Sequence, residues 1–152
     1  MKIVSLPLKT DATITAIQTF AQTAELRLPL FLCRVSAGYP SPAEDHIEKR
    51  LDLNELLVKH PAATFFVRVA GDSMTGAGIN HNDILVVDRS LEPANGKVVI
   101  AVLNGELTVK RLFRNGESFR LVPDNPAYPA LELTEGESCE IWGVVTSVIH
   151  SL

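Results

Sequence analysis

The sequence is poor in the features that mark metal, phosphate, membrane or direct nucleic-acid work. Its 152 residues include two cysteines, Cys33 and Cys139, and neither has a CxxC partner or a nearby histidine at metal-ligand spacing. No metal or other cofactor is expected, and a reduced chain in the cytoplasm is the simplest setting. No stretch approaches the roughly 20 apolar residues that span a bilayer. The opening residues are broken by Pro7, Lys9 and Asp11, too soon for a secretory apolar segment. Positive charge is also short, with 14 Lys and Arg against 18 Asp and Glu and a formal net charge of -4. The chain therefore lacks the basic footprint of a nucleic-acid binder, and any connection to DNA is expected to be indirect. Gly76-Ala77-Gly78 is followed by neither a lysine-serine pair nor a helix pattern, which excludes a phosphate loop.

What is present divides unevenly along the chain. Residues 1–37 carry Lys2, Lys9, Arg27 and Arg34 against Asp11 and Glu25, a balance of +2, so residues 38–152 carry -6. Residues 1–41 show no compact pattern, although Ile14, Ile17 and Phe20 recur at a spacing that fits one helical stripe. They read as an extended N-terminal arm that packs on something else. The apolar run from Leu26 to Leu32 has Pro29 at its centre, which disfavours an interior helix or central strand and permits an extended segment.

Ser41-Pro42-Ala43-Glu44 predicts a helix start, with a serine cap, proline at the first helical position and glutamate three residues after the cap. Ile47, Leu51 and Leu57 would form its inward stripe, and the helix would end near Lys59-His60-Pro61. From Thr64 the pattern becomes that of strands, at 64–70, 84–88, 97–103, 106–113, 118–121 and 140–149. Asn104-Gly105 between two of them is a two-residue hairpin signal. One leading helix followed by short, turn-punctuated strands predicts a mostly β domain.

Two residues carry candidate chemistry. Ser73 sits on the glycine-led turn Gly71-Asp72-Ser73-Met74, where irregular backbone can aim several N–H groups at one point, the geometry of an oxyanion hole. Lys110 lies in a run whose alternation puts Thr108, Lys110 and Leu112 on one face. Burying that face would disfavour the ammonium and free a neutral amine as general base, so a Ser/Lys pair would need no histidine. Taken singly, Ser73 also fits a turn serine bonding its own backbone and Lys110 a solvated strand lysine. His46, His60, His81 and His150 have no motif around them and read as surface histidines. Asp83 and Asp88 flank Ile84-Leu85-Val86-Val87 and read as strand terminators rather than metal ligands. Ala37-Gly38, upstream, is by itself an ordinary flexible hinge.

Read together, these segments resemble the UmuD-like branch of the LexA-type Ser/Lys autoproteases, the S24 peptidases. Ala37-Gly38-Tyr39-Pro40-Ser41-Pro42 is similar to that family's cleavage region, and Gly71-Asp72-Ser73-Met74 and Thr108-Val109-Lys110-Arg111 to its nucleophile and base motifs. Val122-Pro123-Asp124-Asn125-Pro126-Ala127-Tyr128 and Trp142-Gly143-Val144-Val145 match later ones, so the resemblance covers roughly residues 30–150. Asn82-Asp83 stands where the pattern usually has glycine-aspartate, and asparagine tolerates the left-handed backbone better than most residues.

The resemblance implies a nucleophilic Ser73, a general base Lys110 and backbone N–H groups of Ser73 and Met74 around the oxyanion. It implies cleavage between Ala37 and Gly38 that removes residues 1–37 as an arm and leaves 38–152 as the β-rich peptidase-like domain. It further implies stimulation by the RecA filament on single-stranded DNA, and a homodimeric product that assists a UmuC-type Y-family polymerase in SOS mutagenesis. The arm is too short for a helix-turn-helix domain, so sequence-specific DNA binding is not expected. Two other readings compete. A signal-peptidase-like enzyme would also use Ser/Lys but expects a membrane anchor, and a binding module of the same fold would not cleave.

Overall fold

The computed structural model describes residues 3–5, 13–19, 27–31, 47–116, 118–131 and 138–152. Valine, isoleucine and phenylalanine crowd its central segments, and their branched or planar side chains fit a pleated, half-buried surface. The strands are β1 (Ile3–Ser5), β2 (Thr13–Thr19), β3 (Arg27–Phe31), β4 (Ile47–Asp52), β5 (Thr64–Ala70), β6 (Ile84–Asp88), β7 (Val98–Leu103), β8 (Glu106–Asn115), β9 (Ser118–Val122) and β10 (Cys139–Ile149). One short helix, α1 (Leu53–Leu57), follows β4. The expectation of a mostly β chain holds. Asn104 and Gly105 both take positive φ, 50° and 79°, as a two-residue turn between right-twisted strands requires. Asn82 likewise sits at φ 69°, where the usual glycine would.

The chain divides into two compact units, one drawn from residues 1–21 and 60–152 and the other from 22–59. In the larger unit the strands form an antiparallel sheet in the order β1-β2-β5-β6-β10-β7-β8-β9. A further pairing, Thr13 opposite Thr108, joins β2 to β8 and closes β2, β5, β6, β10, β7 and β8 into a ring. Ile14, Val67, Val69, Leu85, Val87, Ile100 and Val109 fill one cluster together with Met74 and Ile79 from the connection after β5. Each such side chain contributes about 1.5–3 kcal/mol when fully buried. A second cluster, Val99, Ala101, Leu112, Leu121 and Val144, covers the other face of β7, β8, β9 and β10.

The structure corrects two expectations. Ile14 and Ile17 lie on a strand, not a helix. The register of β2 against β5 shifts between Ile14 and Ala16, so Ile14 lies opposite Val69 and Ile17 opposite Val67. This bulge brings residues three apart onto one face and imitates a helical stripe. Phe20 lies outside the described residues.

The second correction concerns the leading helix. The proposed start at Ser41 lies outside the described residues, but Ile47–Asp52 is a strand paired with Arg27–Phe31, and the helix spans only Leu53–Leu57. Asp52, not Ser41, is the cap here: its carboxylate accepts the Asn54 N–H at 2.9 Å. α1 buries none of its residues, and Leu53 and Leu56 are exposed. Pro29 does sit in a two-stranded sheet, where its missing N–H is tolerated.

Asp83 and Asp88 end β6 as expected, each through hydrogen bonds. Asp83 accepts the Asn80 N–H at 2.7 Å and bonds His150 Nδ1 at 2.5 Å. Asp88 accepts the Ser90 N–H at 2.8 Å and hydroxyl at 2.6 Å, and bonds His60 Nδ1 at 2.6 Å. Burial pushes the Asp88 carboxyl up, but the Ser90 and His60 bonds outweigh it, and the net shift is downward. A lowered folded value means that Asp88 stabilises the fold fully above its ordinary value near 3.8, and that this is lost as pH falls through the folded value. Asp88→Asn is expected to cost about 1–2 kcal/mol at pH 6 and to flatten the loss of stability on acidification, as urea midpoints at pH 6 and pH 3 would show.

Candidate active site

β5 ends at Ala70 and the chain turns at Gly71, whose φ of 93° suits glycine alone. The Gly71 N–H donates to His81 Nδ1 at 3.1 Å, which places the otherwise unremarkable His81 at the root of this turn. Ser73 and Met74 follow, both fully buried, and Met74 packs in the main core cluster. A 3-10 turn, Thr75–Ala77, continues the chain. The Ala77 and Ile79 amides donate to the Met74 carbonyl at 3.0 and 3.2 Å, and the Thr75 amide to that of Asp72 at 3.4 Å. The candidate nucleophile is thus held on a loop anchored from inside the barrel by Met74 and Ile79.

Lys110 lies near the middle of β8, opposite Val99 of β7, and is only 1% exposed. Its amine donates to the Thr108 hydroxyl at 2.9 Å and to the Val109 carbonyl at 3.2 Å. The expected face is therefore buried, with Thr108, Lys110 and Leu112 all shielded from solvent. Sequence alternation placed Thr108 beside the lysine without showing that it supports the amine. Ala37 and Gly38 lie outside the described residues, as does Cys33. Cys139 is a free, partly buried thiol, pushed up in pKa by burial.

The segment 122–128, legible in the sequence only as a motif, touches the turn that carries Ser73 and the residue after Lys110. The Asp124 N–H donates to Met74 Sδ at 3.3 Å, and the Asp124 carbonyl accepts the Gly76 N–H at 2.7 Å. Arg111, next to Lys110, donates Nε and Nη2 to Asp124 Oδ2 at 3.1 and 2.7 Å and Nη1 to the Gly96 carbonyl at 2.7 Å. Asn125 Nδ2 donates to the Asp72 carbonyl at 2.8 Å, and the Tyr128 hydroxyl to the Asp72 carboxylate. Among the described residues no group of three or more His, Cys, Asp or Glu could hold a metal ion, and no helix is long and apolar enough to cross a membrane.

The chain is similar to known proteins over most of its length. Residues 29–146 match the family described as Peptidase S24-like. Over 122 residues the chain is 50% identical to Protein SamA of Salmonella typhimurium, covering 80% of this chain and 84% of SamA. It is 46% identical over 126 residues to Protein MucA of Escherichia coli, covering 82% and 84% of the two chains. A LexA repressor of Paracidovorax citrulli is 38% identical over 128 residues, which span 84% of this chain but 56% of the repressor.

The contact between the two loops leaves no room at Gly76. A Cβ there would lie 2.5 Å from the Asp124 carbonyl oxygen and 2.8 Å from its Oδ1. Gly76→Ala is expected to destabilise the fold by about 1–3 kcal/mol, read as a lower urea midpoint. An unchanged midpoint would mean that the two loops part without cost.

Proposed function

The chain belongs to the Peptidase S24-like family, and from that premise we propose that it is a self-cleaving serine endopeptidase, with Ser73 as nucleophile, Lys110 as general base and the Ala37-Gly38 bond as substrate. The observation that carries this reading is the burial of Lys110 with its amine on two acceptors. Burial disfavours the ammonium. A neutral amine has two N–H donors and one lone pair. Thr108 and the Val109 carbonyl each accept an N–H from it, and the lone pair of a neutral amine can take a proton from a serine hydroxyl.

In this mechanism Ser73 Oγ attacks the Ala37 carbonyl carbon as its proton passes to Lys110 Nζ. The Ser73 and Met74 amides stabilise the oxyanion. Collapse breaks the Ala37-Gly38 bond, and Lys110 hands its proton to the departing Gly38 nitrogen. Water, deprotonated in turn by Lys110, hydrolyses the ester between Ala37 and Ser73 Oγ. The methyl group of Ala37 and the bare backbone of Gly38 let an extended strand approach the nucleophile closely, while residues such as Val35 can fill a neighbouring pocket.

The products are an arm, residues 1–37, and a trimmed domain, residues 38–152. Membership of the family supports a biological setting as well. Cleavage is a one-turnover switch in the SOS response, stimulated in the cytoplasm by RecA on single-stranded DNA. The trimmed homodimer then serves a UmuC-type Y-family polymerase in mutagenic lesion bypass. Likeness to SamA, MucA and a LexA repressor supports this setting over a signal-peptidase-like role.

Incubating the purified chain at alkaline pH, or with RecA, single-stranded DNA and a nucleotide, should yield a fragment beginning at Gly38 by mass spectrometry. The rate should rise with pH as the Lys110 amine loses its proton, then level off. Ser73→Ala and Lys110→Ala should each abolish it, a loss of at least about 1000-fold. A fragment that persists in Ser73→Ala would overturn the assignment.

A further inference from the structure

The residues flanking Ser73 are held from one side by a single loop. Asp72, just before it, is gripped at both ends, its carboxylate by the Tyr128 hydroxyl and its carbonyl by Asn125 Nδ2. Met74, just after it, accepts the Asp124 N–H on its sulfur, and Gly76 donates its N–H to the Asp124 carbonyl. The loop is itself stiff. Asn125 Oδ1 accepts the Ala127 N–H at 2.9 Å and the Asn125 carbonyl the Tyr128 N–H at 3.1 Å, a turn closed by its own side chain. Pro123 and Pro126 fix φ at two of its positions. At its other contact, Asp124 takes the guanidinium of Arg111, the residue next to Lys110. One residue, Asp124, is thus bonded both to a neighbour of the nucleophile and to a neighbour of the base.

We propose that this loop sets the placement of Ser73 relative to Lys110, and that Tyr128 and Asn125 are positioning residues for self-cleavage, acting on the nucleophile turn through Asp72. The inference rests on the autoprotease reading above. Asp72 is exposed, so its paired carboxylate adds nothing to the core. What the pairing does is fix the backbone that carries Ser73. A displacement of about 1 Å in a reacting group can cost on the order of 100-fold in rate. Loss of one such restraint is therefore expected to show in the rate before it shows in the fold.

The test is the rate of Gly38-fragment formation by the full chain across pH, with thermal unfolding followed in parallel. Tyr128→Phe and Asp72→Ala should each lower the alkaline plateau about ten-fold, leave the pH midpoint in place because the surroundings of Lys110 are intact, and leave the thermal midpoint unchanged. The double variant should be no slower than the slower single one, because both remove the same contact. Asp72→Asn keeps an acceptor oxygen for the phenol and should recover much of the rate lost in Asp72→Ala. If Tyr128→Phe does not fold, the two Asp72 variants carry the comparison alone.

Plateau rates equal to wild type would overturn the inference, as would losses that multiply in the double variant or track a lowered thermal midpoint. A wild-type chain that cleaves while Tyr128→Phe keeps pace removes this inference alone. A wild-type chain that yields no fragment removes the autoprotease reading, and this inference with it.

Discussion

A lysine amine hidden from water must be given hydrogen bonds by the protein, and the arrangement around Lys110 follows from that requirement. An uncompensated ammonium in an apolar interior costs several kcal/mol. β8 answers with the Thr108 hydroxyl and the Val109 carbonyl, both within 3.2 Å of the amine. Thr108 is also where the sheet closes, lying between Ala101 of β7 and Thr13 of β2 in the backbone register. Closure of the ring and support of the amine therefore meet at one residue. The lysine alternates along β8 with Val109, which belongs to the main core, so a register shift of one residue would exchange their two buried faces and put the amine into the apolar cluster.

The turn that carries Ser73 is held differently. It has no ladder to fix it, so it is pinned from inside by Met74 and Ile79 in the core and from outside by the 122–128 loop. Sheet rigidity places the lysine, while side-chain anchors place the serine. That division suits a protein proposed to act once on itself, because its site needs to be correctly assembled but not open to a succession of substrates.

The strands after Thr64 were readable because branched and aromatic residues, glycine and Asn-Gly punctuation all point the same way. β5 and β6 have the bounds expected of them. β2 was not readable, since a bulge lets Ile14 and Ile17 share a face at a spacing that otherwise signals a helix. The β4 strand was misread for another reason. A good capping pattern at Ser41 and apolar residues at 47 and 51 fit a helix, but pairing with the β3 segment and capping by Asp52 prevail. Ser73 and Lys110 stand out as candidates only in combination, each being an ordinary residue type for its place. The part played by Thr108 and the clamp through Asp124, Asn125 and Tyr128 depended on contacts between segments up to 56 positions apart, which periodicity does not encode.

The proposed self-cleavage turns on the Lys110 amine being neutral where a solvated lysine would be charged. The direct measurement is an NMR pH titration of the Lys110 side chain, isotope-labelled, in the full-length Ser73→Ala chain, which cannot consume itself. A Ser73/Lys110 mechanism requires a midpoint displaced well below the ordinary lysine value, in the range where self-cleavage of the wild-type chain gains its pH dependence. A Lys110 that titrates at the ordinary lysine value would contradict it.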